Sequence, residues 1–208
     1  MKNLDVVKSI EIPESNNTKD GMFTHDGTNF YGYLVNVKIP EGFTSIGKDA
    51  FNGCTSLTSV TLPESLTSIE GGAFNGCTSL TSITLPESLT SIGSTAFCDC
   101  SSLTSITLPE SLTKIDDYTF YGCSSLTSIN LPEGLTSIKD GTFGYCSSLT
   151  SIDLPESLTS IGIEAFQSCT SLKTINFKGT EDQWNAITKG SNWSKNCPSD
   201  MVINYQGE

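Results

Sequence analysis

The chain has 208 residues, with 23 aspartates and glutamates against 11 lysines and no arginine, a formal net charge of −12. So acidic a surface attracts neither a phosphate backbone nor an anionic leaflet, which sets nucleic acid and membrane surfaces aside as partners. No stretch approaches the ~18 apolar residues of a membrane helix, so membrane insertion is not expected.

Residues 1–38 read as an N-terminal cap with a diverged repeat. Val7-Lys-Ser-Ile10-Glu-Ile12-Pro13-Glu14-Ser15 and Leu34-Val-Asn-Val37-Lys-Ile39-Pro40 share a strand-then-proline pattern, 27 residues apart. Asn16 to Gly32, with its Asn, Asp and Gly, is expected to loop between them. No basic start followed by an apolar run marks a secretory signal. Two readings follow: the mature region of a secreted protein, or a cytoplasmic protein.

Residues 39–176 hold six copies of one 23-residue unit, beginning at Ile39, Leu62, Leu85, Leu108, Leu131 and Leu154 without insertion or deletion. Eight positions never change, written here for the third copy: Pro86, Glu87, Thr90, Ile92, Phe97, Cys100, Ser102 and Leu103. One copy cannot bury its own apolar positions, but stacked copies bury them as continuous columns. Within a copy, Leu103-Thr-Ser-Ile106-Thr-Leu108 favours a short strand, and Pro109 ends it because proline brings no N–H to a ladder. The variable segment before the phenylalanine, such as GSTAF or DDYTF, reads as a turn of helix or 3₁₀ on the outer side. Strands stacked at ~4.8 Å per rung then give a parallel sheet on one face.

The pattern L-P-x-x-L-T-x-I-x-x-x-A-F-x-x-C-x-S-L-x-x-I resembles the BspA-type leucine-rich repeats of bacterial surface proteins, in register over 138 of the 208 residues. The resemblance implies a right-handed leucine-rich-repeat solenoid with a parallel strand ladder on one face, helical or 3₁₀ turns on the other, and capped ends. It also implies an extracellular or cell-surface place and contact with a host or matrix protein or glycan, since adhesion to extracellular matrix is proposed for the family. No catalytic residue is carried over.

Residues 177–208 read as a C-terminal cap. Thr180 followed by Gln183 is a capping-box signature, so a short helix should start there. Trp184, Ile187 and Trp193 would cover the last rung, and Met201 to Tyr205 could add a final strand, closing an edge that would otherwise template aggregation. Ligand stacking is the other reading of the tryptophans.

The candidate binding face is the outward side of the strands. Its positions are Ser59 and Thr61, Ser82 and Thr84, Ser105 and Thr107, Ser128 and Asn130, Ser151 and Asp153, then Thr174 and Asn176. This near-uniform hydroxyl surface suits either multivalent, low-specificity contact or plain solvation. An ice-binding array would need a regularity that Asn130, Asp153 and Asn176 break. Variation is concentrated instead beside the phenylalanine, on the outer side, as GKDA, EGGA, GSTA, DDYT, KDGT and GIEA.

Other chemistry is sparse. Glu41, Glu64, Glu87, Glu110, Glu133 and Glu156 form a column whose neighbours, ~4.8 Å apart, repel by about 0.9 kcal/mol per pair even in bulk water. Calcium between rungs would relieve this, and splaying into solvent would too. Cys54, Cys77, Cys100, Cys123, Cys146 and Cys169 form another column. Its parallel side chains favour small buried apolar residues over disulfides. Cys98 makes a Cys-x-Cys with Cys100, and Cys197 stands alone in the cap. A metal site would want histidines or a second cysteine pair. The single histidine, His25, has no nucleophile beside it, and no phosphate loop or activated base is visible, so neither enzyme nor cofactor is expected. The resulting reading is a non-enzymatic binding or adhesion module. A stalk presenting another domain and an intracellular interaction scaffold are the alternatives, and oligomeric state is left open.

Overall fold

The structure, a computed structural model, describes residues 9–11 and 35–207. The Asn16–Gly32 loop, Glu14 and His25 lie outside the described residues. Short strands follow one another along the chain: β1 (Ser9–Glu11), β2 (Asn36–Lys38), β3 (Ser45–Ile46), β4 (Ser59–Thr61), β5 (Ser68–Ile69) and β6 (Ser82–Thr84). Then come β7 (Ser91–Ile92), β8 (Ser105–Thr107), β9 (Lys114–Ile115), β10 (Ser128–Asn130), β11 (Ser137–Ile138) and β12 (Ser151–Leu154). The end of the chain adds β13 (Ser160–Ile161), β14 (Thr174–Phe177), the helix α1 (Glu181–Ala186), β15 (Thr188–Lys189) and β16 (Val202–Tyr205).

Every strand pairs in parallel with its equivalent one coil away. The main ladder runs as β1-β2-β4 and β6-β8-β10-β12-β14-β16, each central residue stacked on the next, as Ile83 on Ile106 and Ile106 on Ile129. Alternation decides its faces: Ile83, Ile106 and Ile129 are buried, while the residues on either side are exposed. A second ladder, β3-β5-β7-β9 and β11-β13-β15, was not expected from the sequence. It is made by the Ser-Ile or Lys-Ile pairs that follow the invariant threonine, closed at the C-terminal end by Thr188–Lys189, and it turns the coil from two sides into three.

The third side is a stack of turns, not of helix or 3₁₀. Within one coil the N–H groups of Ala96, Cys98 and Cys100 donate to carbonyls three residues back, at Gly93, Thr95 and Phe97. The alternate N–H groups, of Thr95, Phe97 and Asp99, donate instead to Asp117, Thr119 and Tyr121 of the next coil, at 3.0, 2.9 and 2.7 Å. A helix would satisfy all its N–H groups internally and leave neighbouring coils unjoined here. The alternation needs a left-handed residue every fourth position, and Thr95 (φ 56°) and Asp99 (φ 56°) supply it in this coil.

The core follows from these three ladders. Phe51, Phe74, Phe97, Phe120, Phe143 and Phe166 stack with ring centroids 5.3–5.7 Å apart and planes within 16°. Beside them Cys77, Cys100, Cys123, Cys146 and Cys169 each point their Sγ at the carbonyl of a phenylalanine 26 residues earlier, as Cys100 to Phe74 at 3.2 Å. The cysteine is therefore more than a small apolar filler, because its weak S–H donor meets a buried carbonyl. Cys197 is not alone: it extends the column by bonding the Phe166 carbonyl at 3.1 Å. It is 28 residues beyond Cys169, the same offset by which Val202 pairs with Thr174.

The C-terminal end closes as its residues dictate. Thr180 caps α1, accepting from the Gln183 N–H at 3.2 Å while its own N–H donates to Gln183 Oε1 at 2.7 Å. Trp184 is buried, 5.6 Å from Phe177 and 6.0 Å from Trp193, and Trp193 meets Phe166 edge-on at 6.2 Å. Both tryptophans thus pack on the end of the stack, and Lys189 lies 4.5 Å over the Trp184 ring.

Candidate functional site

The hydroxyls of the coil divide into two groups by what they touch. Thr58, Thr104 and Thr127 donate to carbonyls of the preceding coil at 2.9, 3.2 and 3.2 Å. Thr67, Thr90 and Thr159 do the same at 2.9–3.0 Å. Ser65, Ser88, Ser111 and Ser157 reach Phe43, Leu66, Leu89 and Leu135 carbonyls at 2.6–2.9 Å. These hydroxyls tie coil to coil.

The strand-face hydroxyls do not. Ser82, Thr84, Ser105, Thr107 and Ser128 are exposed, and among the described residues none of their side chains bonds another group of the chain. The ladder register sets Ser82, Ser105 and Ser128 in one row and Thr84, Thr107 and Asn130 in another. Thr61 opens the second row and is exposed, while Ser59 opens the first and donates to Asn36 Oδ1 at 2.5 Å. Toward the C-terminal end the rows change character. Ser151 and Asp153 are half-buried, and Asp153 accepts from Asn176 Nδ2 at 2.7 Å, whose Oδ1 accepts from Asn204 Nδ2 at 3.0 Å. Asn204 on β16 belongs to this amide row.

The family model described as "BspA type Leucine rich repeat region (6 copies)" matches residues 26–115 and 67–186. The chain belongs to the BspA-type leucine-rich-repeat family. A crystal structure of a leucine-rich repeat protein of T. pallidum (TpLRR) is 33% identical with TM-score 0.65, over 80% of this chain and 72% of that one. A leucine-rich repeat protein from Bacteroides ovatus is 27% identical with TM-score 0.57, over 96% of this chain and 64% of that one. No curated protein matches the chain.

Part of the other candidate chemistry of this BspA-type repeat is engaged by contacts within the fold. In the glutamate column Glu110 Oε2 accepts the Glu133 N–H at 3.1 Å, Glu133 pairs with Lys178, and Glu156 accepts from Gln183 Nε2 at 2.9 Å. No three His, Cys, Asp or Glu side chains among the described residues are grouped as a metal ion would require. The Glu133 carboxylate holds the Lys178 ammonium above its usual range. Burial pushes the Cys54 thiol up to about 12, and does the same for Cys146 against a backbone hydrogen bond from Cys123. Among the described residues no helix is long and apolar enough to cross a membrane.

The outer turns carry a feature that the sequence reading passed over. Tyr118 and Tyr121 meet edge-on with centroids 5.7 Å apart, and Tyr121 and Tyr145 lie 5.1 Å apart at 55°. The signal was present in the variable segments: tyrosine stands at positions that the adjacent copies give to threonine, cysteine, serine or glycine.

Proposed function

We propose that this BspA-type solenoid is a non-enzymatic binding module of a bacterial cell-surface protein, contacting a host or matrix protein or glycan along its strand face. The observation that carries this reading is the division of hydroxyls: where one is needed to join coils it is bonded, and along the strand face from Ser82 to Ser128 it is left to solvent. Ser82, Thr84, Ser105, Thr107 and Ser128 then repeat one donor-acceptor pair per rung at ~4.8 Å. A repeating partner meets several weak contacts at once, and avidity supplies the affinity that no single hydroxyl has.

The test displays the chain in many copies against immobilised matrix proteins and glycans, beside Thr84→Lys/Thr107→Lys. Saturable binding lost in the variant supports the strand face. Binding retained by the variant moves the contact elsewhere on the coil. Absence of binding to any of them sinks the adhesive reading and favours a stalk that presents another domain.

A further inference from the structure

The left-handed positions of the outer turns form two columns. Tyr118 shares the first with Asp49, Gly72, Thr95, Gly141 and Glu164, and Tyr145 shares the second with Gly53, Gly76, Asp99, Gly122 and Ser168. Positive φ suits glycine and is tolerated by Asp and Asn, but bulky side chains resist it. Tyr118 (φ 56°) and Tyr145 (φ 60°), like the β-branched Thr95 (φ 56°), are poorly suited to it, and burial does not compensate at the tyrosines: they are 38% and 44% exposed. Strain retained at a solvent-facing side chain points to use of that side chain.

The rings are seated. A Cβ added to Gly141 would stand 2.3 Å from a Tyr118 ring carbon, and one added to Gly144 would stand 2.8 Å from a Tyr121 ring carbon. Two glycines of the next coil thus make room for two rings. Carboxylates surround them. Asp99 lies over Gly122, close enough to add to the upward push that burial gives the Tyr121 phenol. Asp117 and Asp140 each use one oxygen to accept a backbone N–H of the next coil, at 3.2 and 2.7 Å. Across the outer turns 93–100, 116–123, 139–146 and 162–169 there are Asp99, Asp116, Asp117, Asp140 and Glu164 against Lys139, and Asp116 is paired with Lys114 at 2.9 Å.

We infer that the Tyr118–Tyr121–Tyr145 patch docks a lysine- or arginine-bearing segment of a partner protein, a cationic side chain lying over the rings with Asp99 or Asp140 beside it. Aromatic faces attract cations within about 6 Å, and the acidic surround adds to that attraction. The ring planes cross at 55–66°, so they offer no continuous platform for a sugar face. A second copy of the chain is a poor occupant, since it brings another −12 charge and no arginine. This site lies on the outer turns and is independent of the strand face.

The experiment measures binding of the intact chain to an immobilised nonapeptide of alternating arginine and serine, with the citrulline-for-arginine peptide and chitohexaose as comparison probes. Tyr118→Gly/Tyr145→Gly places the residue of neighbouring coils at both positions, so its melting temperature should be unchanged or higher. It should bind the arginine peptide at least tenfold more weakly. Asp99→Asn should weaken binding severalfold, and Glu87→Gln, equally charge-reducing but on another side, should not. Wild-type failure to bind, equal binding by the tyrosine variant, equal losses in the two charge variants, or preference for chitohexaose would each overturn the inference. A fall in the melting temperature of the tyrosine variant would make the rings part of the fold and overturn it too.

Discussion

A single position shows how the repeat chooses its residues. From Cys77 to Cys169 the column side chain must be small, fully buried and able to give a hydrogen to the phenylalanine carbonyl beneath it. Alanine is small enough but has no donor, and serine has a donor whose desolvation costs more than a thiol's. Cys100→Ala should therefore lose about 1–3 kcal/mol, from a small cavity and an unmet carbonyl, read as a shift of the urea midpoint at constant slope. The same burial predicts chemical silence. The native protein at pH 8 should leave the column thiols unmodified by a thiol-exchange dye, with fast labelling of all eight cysteines only after unfolding. Rapid reaction of several thiols in the folded protein would contradict the buried column.

Among the elements, α1 is short enough that its cap decides it. Thr180→Ala removes the oxygen that accepts the Gln183 N–H and should cost about 1 kcal/mol. Faster amide exchange in residues 181–187 would show it first. The glutamate column makes a second prediction at this level. Since Glu110, Glu133 and Glu156 are engaged with a backbone N–H, Lys178 and Gln183, the melting temperature should be the same in calcium and in chelator. A calcium-dependent rise of several degrees would restore a bridging cation.

What the sequence disclosed follows from which forces repeat with it. Ile106, Phe97 and Cys100 recur every 23 residues because burial is periodic, so the main ladder and the core were legible. The second ladder was not, because Ser91-Ile92 is too short for alternation to be seen. The outer turns were misread as helical because half their hydrogen bonds cross to the next coil, a partner that local pattern does not name. Cys197 was missed because its coil is 28 residues long, not 23. The candidate face was legible by position, from alternation about Ile106, but not by what its hydroxyls bond. Thr104 and Thr107 look alike in sequence, yet one bonds the coil below and the other faces solvent, which only the direction of each side chain decides.

For the molecule as a whole, repetition turns one local preference into a global property. Cys54, Cys100 and Cys146 are each pushed from about 9 up to about 12 by burial. In the unfolded chain these thiols ionise near their ordinary value, whereas the folded chain keeps their protons until about pH 12. Between these limits the unfolded state binds fewer protons, so stability falls as pH rises. Each thiol contributes up to ~1.4 kcal/mol per pH unit, and three of them remove about 4 kcal/mol one unit above the unfolded value. That is comparable to the ~5–15 kcal/mol that holds a domain together. Lysine deprotonation also weakens an acidic protein at high pH, so the wild-type curve alone does not isolate the thiols. Cys100→Ala does: with one ionisable group gone, its deficit relative to wild type at pH 7 should shrink by about 1–2 kcal/mol by pH 10.5, measured by urea unfolding under a phosphine reductant. A deficit that stays constant with pH would mean that the column thiols ionise in the folded solenoid as they do in the open chain.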